Sequence, residues 1–156
     1  MEPLRENERT APADHVPLDR QRPTILYIDD DRFLLTLCCD LLELYGYRTL
    51  LATDGPTGIQ TAETGRPDLI LLDLIMPEMD GLAVCRRLRA LPDFQAIPII
   101  LFTARQELKH DVEALEAGAT LTLRKEFSSM ELLRTISRLL ASRDLRDVRD
   151  CAEGWS

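Results

Sequence analysis

Five short apolar runs alternate with helix-like segments along the chain. The first, third and fourth runs are nearly continuously apolar, which is typical of strands buried on both faces of a parallel sheet. The predicted strands span residues 24–28, 47–52, 68–73, 97–102 and 119–123. The predicted helices span residues 32–45, 55–64, 81–91, 105–117 and 128–141.

This alternation predicts an α/β fold in which each helix makes a right-handed crossover to the next parallel strand. Five such units favour a flavodoxin-like, doubly wound (βα)5 sheet with strand order 2-1-3-4-5. In sheets of this kind, ligands bind at the carboxyl ends of the strands, near the point where the strand order reverses. That point is predicted between the first and third strands.

The two ends of the chain depart from the alternating pattern. Residues 1–22 carry scattered charges, several prolines and no apolar period, so we expect a flexible N-terminal tail. Residues 23–141 are the predicted globular domain. In residues 142–156, Leu145 and Val148 keep the helical spacing, so we expect an extension of the last helix that ends in a short tail.

Composition limits the kinds of partner. Of the 156 residues 45% are hydrophobic and 29% are charged, and the formal net charge is −8. A surface that binds nucleic acid needs clustered Lys and Arg, so we predict no nucleic-acid partner. No apolar run approaches the roughly 18 residues of a membrane-spanning helix, and the N-terminus has no apolar signal core. These features predict a cytoplasmic protein without a membrane partner.

Polar side chains follow every predicted strand except the second. Neighbouring strands lie about 4.8 Å apart, so carboxylates at the ends of the first and third strands are expected within reach of one ion. A lysine two strands further along can largely span the remaining gap with its four-carbon stem. The residues concerned are Asp29, Asp30 and Asp31 after the first strand, Asp73 and Thr103 at the ends of the third and fourth, and Lys125 after the fifth.

Several carboxylates packed together need compensating positive charge. Oxygen ligands of this kind suit Mg²⁺, with Mn²⁺ as a second choice, and Mg²⁺ also accepts phosphate oxygens. A carboxylate can act as a nucleophile and form an aspartyl phosphate, while a cation and a hydroxyl stabilise the oxygens of the transferred group. We therefore interpret Asp73 as a phosphoryl acceptor.

The same stretches resemble the response-regulator receiver domain of two-component signalling, in its stand-alone form. The fragments "ILYIDDDR", "PDLILLDLIMPEMDGL", "PIILFTA", "EAGA" and "LRKEF" occur in the order and at the spacings of that family. The resemblance implies the following roles: Asp73 as phospho-acceptor, Asp30 as a direct Mg²⁺ ligand, Asp29 as a metal residue acting through water, the backbone carbonyl of Ile75 as a further ligand, Thr103 as the switch hydroxyl and Lys125 as the cation that contacts the phosphoryl group. It also indicates that Asp31 is the N-cap of the first helix.

The function implied by the resemblance is signalling and not enzymatic turnover. A sensor histidine kinase or a histidine phosphotransfer protein donates the phosphoryl group, and phosphorylation then changes contacts with a downstream protein. At most, such a domain promotes its own phosphorylation and dephosphorylation.

Three departures from the family pattern concern four positions. Glu126 stands where the family usually has proline, often after a cis peptide bond; a cis bond before a non-proline costs about 3 kcal/mol, so we expect a trans bond and a different path of the lysine loop. Thr122 stands at the usual position of an aromatic switch residue, so output is expected to use another surface or backbone shifts. In the family, the positions of Ile75 and Arg105 flank the path of attacking water, and we hypothesise that these two side chains slow hydrolysis of the phosphoryl group.

The first helix, residues 32–45, carries more apolar residues than one core face needs. The i, i+3, i+4, i+7 spacing predicts a core face made of Leu34, Leu37, Cys38, Leu41 and Tyr45. The remaining stripe consists of Leu35, Cys39 and Leu42. In the family this helix helps to dock the phosphotransfer domain, so the stripe is either that docking surface or is buried under a neighbouring segment.

Two other functions are compatible with the same residues. Phosphohydrolases of the haloacid-dehalogenase type use an aspartyl nucleophile after the first strand, in a D-x-D pattern that Asp29 and Asp31 match, but they leave Asp73 without a role. A degenerate receiver that binds partners without phosphorylation is the other alternative, which Thr122 and Glu126 favour.

Overall fold

The computed structural model describes residues 22–104 and 108–153. Residues 1–21, which make up nearly all of the predicted tail, lie outside the described residues. The strands are β1 Thr24–Ile28, β2 Arg48–Ala52, β3 Leu69–Asp73, β4 Ile99–Thr103 and β5 Leu121–Arg124. The helices are α1 Arg32–Leu44, α2 Gly55–Gly65, α3 Gly81–Ala90, α4 Leu108–Glu116 and α5 Ser129–Glu153, with a 3-10 turn at Pro92–Phe94.

The strands form a single parallel sheet in the order β2-β1-β3-β4-β5, which confirms the predicted topology. Every residue of β3 and β4 is buried, as their continuous apolar sequences predict. The edge strands β2 and β5 keep partly exposed residues. The centre of the sheet is therefore enclosed on both faces, and the predicted site residues lie at its carboxyl edge.

Helices cover both faces of the sheet and divide the core in two. One face, with Leu26, Ile70 and Leu101, packs against α2, α3 and α4. The other face, with Ile25 and Tyr27, packs against α1 and α5. Because side chains alternate along a strand, successive residues of β1 serve the two halves of the core.

Helix α1 is rotated relative to the orientation predicted from its spacing. Leu35, Cys38 and Leu42 are buried, so the core face combines Leu35 and Leu42 of the second stripe with Cys38, which was predicted there. Leu37 is 56% exposed and Tyr45 is also exposed, so their assignment to the core was wrong. Both stripes are apolar, and packing against α5 and the sheet decides which one is buried.

The N-terminal edge of the sheet is fixed by side chains far apart in sequence. Arg89 of α3 donates to the carbonyl oxygens of Phe94, Ile97 and Gly118, the last at 2.8 Å. Arg143 of α5 donates to the carbonyl oxygen of Asp68 at 3.0 Å and contacts its carboxylate at 3.1 Å. Helix α5 thus continues past residue 141 and is bound to the start of β3.

The rotation of α1 predicts unequal effects of two leucine substitutions. Leu42→Ala removes a fully buried side chain and is expected to lower the free energy of unfolding by about 3 kcal/mol. Leu44→Ala changes a side chain that is 80% exposed and is expected to alter it by less than about 0.5 kcal/mol. Urea denaturation followed by circular dichroism measures both, and equal effects would contradict this orientation of the helix.

Candidate functional site

Three carboxylates meet at the carboxyl edge of the sheet, where β1 and β3 lie side by side. The register pairs Ile28 with Leu72, so the next residue of each strand, Asp29 and Asp73, lie next to each other. Asp29 and Asp73 are buried, whereas Asp30 is exposed. One carboxylate oxygen from each of the three lies within 4.8 Å of the other two. This is the proximity that the strand-end pattern predicted.

Lys125 brings positive charge into this group. Its Nζ lies 3.2 Å from Asp73 Oδ2 and 3.5 Å from Asp29 Oδ2. The backbone N–H of Lys125 donates to the carbonyl oxygen of Thr103 at 3.0 Å, which fixes the start of the loop after β5. Burial alone would lower the pKa of Lys125, but the negative charges of Asp73 and Asp29 raise it, so the side chain stays an ammonium group.

Asp73 is held in an environment that resists its ionisation. Burial, followed by the charge of Asp29, raises the pKa of Asp73 to about 6, although Lys125 and a backbone hydrogen bond from Ile75 act in the opposite direction. Its Oδ2 is buried and, among the described residues, accepts no hydrogen bond of good geometry, even though Lys125 forms an ion pair with it. A buried oxygen of this kind is a position that an incoming cation or phosphoryl group would satisfy.

Thr103 and Ile75 border Asp73. Thr103 is buried at the end of β4, one residue after Phe102, which pairs with Asp73 across the sheet. Ile75 directs its backbone N–H towards Asp73, and its side chain is exposed. The metal-binding role of the Ile75 carbonyl and the switch role of the Thr103 hydroxyl stay predictions.

Asp31 is directed away from this group. Its Oδ1 accepts hydrogen bonds from the backbone N–H groups of Phe33 at 3.0 Å and Leu34 at 3.2 Å, so it is the N-cap of α1, as predicted. A carboxylate used in this way is not the partner of Asp29 that a D-x-D phosphohydrolase needs. The site therefore favours chemistry on Asp73.

Two of the positions that depart from the family pattern, Thr122 and Glu126, have defined local structures. The Thr122 hydroxyl donates to Asp111 Oδ1 at 2.8 Å, which joins β5 to α4. Glu126 is exposed, and the peptide bond before it is trans, as expected, like every other within the described ranges. Arg105 lies outside the described residues.

Sequence reasoning missed one contact of the site. The Tyr27 hydroxyl is buried and donates to Asp29 Oδ2 at 2.8 Å. Burial, followed by the charge of Asp29, raises the pKa of Tyr27, so its hydroxyl keeps the proton that it donates. The available signal was a single tyrosine in an aliphatic strand, two residues before an acid and therefore on the same face.

These residues fit a hard divalent cation. The group offers carboxylate oxygens, which Mg²⁺ prefers, and it includes Asp73, whose buried Oδ2 accepts no hydrogen bond from the described residues. Within the described residues, no helix is both long and apolar enough to cross a membrane.

The parallel sheet in the order β2-β1-β3-β4-β5, with an acidic group at its carboxyl edge, defines a flavodoxin-like α/β domain. The family model of the response regulator receiver domain matches residues 25–137, and the chain belongs to this family. It is similar to the response regulator MprA of Mycobacterium ulcerans (strain Agy99), with 40% identity over 123 residues that cover 79% of this chain and 52% of MprA. It is also similar to RpaA of Synechocystis sp., described as a DNA-binding dual master transcriptional regulator, with 38% identity over 122 residues that cover 78% of this chain and 51% of RpaA.

The chain thus spans about half the length of these curated relatives. Among solved structures it is similar to the receiver domain of the sensor histidine kinase PA1611 from Pseudomonas aeruginosa PAO1. That similarity has a TM-score of 0.71 and 35% identity, and covers 77% of this chain and 98% of the other. The PA1611 structure has a magnesium ion coordinated in its active site cleft.

The raised pKa of Asp73 predicts a pH-dependent effect of Asp73→Asn in metal-free protein. Between the ordinary carboxyl pKa of 3.8 and about 6, the unfolded chain releases a proton that the folded chain keeps, so stability falls as pH rises through this range. At about pH 7.5 in EDTA, Asp73→Asn is expected to raise the free energy of unfolding by about 1–3 kcal/mol. The difference is expected to shrink below about pH 4, where Asp73 is protonated in both states.

Chemical denaturation at a series of pH values measures this effect. Asp40→Asn, at an exposed position of α1, is the control for loss of a carboxylate in general. An Asp73→Asn variant that is less stable than wild type near pH 7.5 would contradict the electrostatic description of the site.

Proposed function

We propose that this chain accepts a phosphoryl group on Asp73 and signals through contacts that depend on phosphorylation. The observation that carries the proposal is the buried Asp73 carboxylate between Asp29 and Lys125, with one oxygen that accepts no hydrogen bond from the described residues. The donor is a sensor histidine kinase or a histidine phosphotransfer protein. The transfer forms a bond between phosphorus and an Asp73 oxygen and breaks the bond between phosphorus and the donor histidine nitrogen.

Each residue of the site has a proposed role in that transfer. Asp30, Asp73 and the Ile75 carbonyl would hold Mg²⁺, or Mn²⁺ in its place, and Asp29 would act through a water molecule. When bound, the cation neutralises negative charge on phosphoryl oxygens. The Thr103 hydroxyl donates to one phosphoryl oxygen, and the Lys125 ammonium group pairs with another.

Small-molecule phosphorylation tests the proposal directly. Incubation with acetyl phosphate and Mg²⁺ is expected to add one phosphoryl group to wild type and none to Asp73→Asn. Asp73 lies beside the Lys125 ammonium group and its Oδ2 accepts no hydrogen bond from the described residues, whereas both oxygens of Asp29 accept one. Intact-protein and peptide mass spectrometry measure the amount and the position.

Asp40→Asn is the control and is expected to behave as wild type. Labelling of Asp29 would favour the phosphohydrolase. Absence of any label would favour the receiver that acts without phosphorylation. Either result would overturn the proposal.

Helix α1 supplies a surface for the phosphoryl donor. Phe33, Leu37 and Leu44 are exposed, at 74%, 56% and 80%. The apolar surface of α1 therefore lies on a different stripe from that of Leu35, Cys39 and Leu42. Phe33 begins this surface only two residues after Asp31, which places it close to the acidic edge. A helical phosphotransfer domain that packs on this surface could bring its histidine towards Asp73.

A charge placed on this surface is expected to separate docking from chemistry. Leu37→Glu should slow transfer at least tenfold from any histidine kinase or phosphotransfer domain that phosphorylates wild type, because a charged residue at the centre of an apolar contact costs about 1.4 kcal/mol or more. Phosphorylation by acetyl phosphate should be unchanged. Rates are measured with radiolabelled donor.

Leu115→Glu is the matched control, since Leu115 is 55% exposed on α4 instead of α1. Equal slowing of phosphotransfer by Leu37→Glu and Leu115→Glu would contradict docking of the donor on α1.

The output surface is proposed on α4 and β5. Val112 and Leu115 of α4 are exposed, and the Thr122–Asp111 hydrogen bond links that helix to β5, next to Lys125. A shift of Lys125 towards a phosphoryl group would move β5 and change the geometry of the Thr122–Asp111 hydrogen bond. The downstream partner is proposed to be a protein in the cytoplasm; since RpaA is described as DNA-binding, the absence of a nucleic-acid partner stays a prediction.

A further inference from the structure

A tyrosine hydroxyl lies beside the acidic group in a part of the core that is otherwise apolar. Tyr27 is 2% exposed, and its ring meets Phe102 edge to face at a centroid distance of 5.7 Å. The buried residues of the cluster around it are aliphatic, cysteine and phenylalanine side chains. A phenylalanine would fill the same space, so packing alone does not account for the hydroxyl.

The hydroxyl completes a clamp on Asp29. Asp29 Oδ2 accepts from the Tyr27 hydroxyl at 2.8 Å, and Asp29 Oδ1 accepts from the backbone N–H of Asp31 at 2.9 Å. Asp29 is fully buried, so no bulk solvent competes for either oxygen. Two donors on different oxygens leave this carboxylate little freedom to turn.

The other two acids of the group are not held in this way. Asp30 is exposed, and Asp73 Oδ2 accepts no hydrogen bond from the described residues. Asp30 and Asp73 therefore offer oxygens for direct coordination, whereas Asp29 offers a fixed negative charge. That charge also lies 3.5 Å from Lys125 Nζ, so the orientation of Asp29 bears on the lysine as well.

We propose that Tyr27 is a positioning residue of the cation site, acting through Asp29 to hold its carboxylate in the orientation that binds Mg²⁺ and Lys125. The inference rests on the proposed function, because that function supplies the cation. Groups that hydrogen-bond to metal-binding residues typically change metal affinity 10- to 100-fold. A hydrogen bond to a carboxylate that acts through water is expected at the low end of that range.

Isothermal titration of the full chain with Mg²⁺ tests the inference. Tyr27→Phe removes only the hydroxyl, so the Asp29 carboxylate loses one of its two donors. Mg²⁺ binding is therefore expected to weaken about tenfold. Tyr47→Phe is the matched control. Tyr47 is a half-buried tyrosine that directly precedes β2, at the amino-terminal edge of the sheet and away from the acidic group, so this change should leave the Mg²⁺ affinity as in wild type. In an Asp29→Asn background, Tyr27→Phe should cause no further loss, since the two changes remove the same interaction.

The outcomes separate this inference from the proposed function. If wild type binds Mg²⁺ and is phosphorylated on Asp73, but Tyr27→Phe binds Mg²⁺ as tightly as wild type, the inference fails and the function stands. A lower melting temperature of Tyr27→Phe in EDTA without a change in Mg²⁺ affinity would show a purely structural hydroxyl and would overturn the inference too. If wild type itself binds no Mg²⁺, both fail.

Discussion

The site depends on the repulsion between two carboxylates that the sheet places side by side. Asp29 and Asp73 follow paired residues of neighbouring parallel strands, so neither can move away without breaking the register. Lys125 offsets part of this repulsion from 3.2 and 3.5 Å, yet the pKa of Asp73 remains raised. The fold therefore maintains an excess of negative charge at one edge, and a cation or a charge-redistributing reaction relieves it.

The fold was predictable because its sequence signals are local. The continuous apolar sequences of β3 and β4 identify buried parallel strands, and strand ends in a parallel sheet meet at one edge. That geometric rule alone brought Asp29, Asp73 and Lys125 together. The rotation of α1 was not predictable in this way, since Leu35 and Leu37 are equally apolar and only packing on the sheet and α5 decides which one is buried.

The contacts that connect the site with the rest of the domain depend on side-chain direction, which spacing does not encode. Tyr27 reaches Asp29 by leaning along its own strand, and Thr122 reaches Asp111 from β5 to a neighbouring helix. Phe102 lies between Tyr27 and Phe127, and it stacks on Phe127 at a centroid distance of 5.0 Å. The acidic group and the loop after Lys125 thus share one aromatic layer, which links their positions mechanically.

Arg89 has a mechanical consequence at the far edge of the sheet. Its guanidinium group binds Gly118, directly behind the C-terminal end of α4, and also the carbonyl oxygens that lead into β4. Arg89 thereby joins both connections to α3, so the C-terminal end of α4 is anchored. Its N-terminal end follows β4, the strand that carries Thr103. Near its N-terminal end, α4 is joined to β5 by the hydrogen bond between Thr122 and Asp111. Loss of that bond would leave a helix held at one end, which pivots more readily than it slides. A signal carried by α4 would then emerge as a change of angle, with the greatest displacement next to the acidic edge.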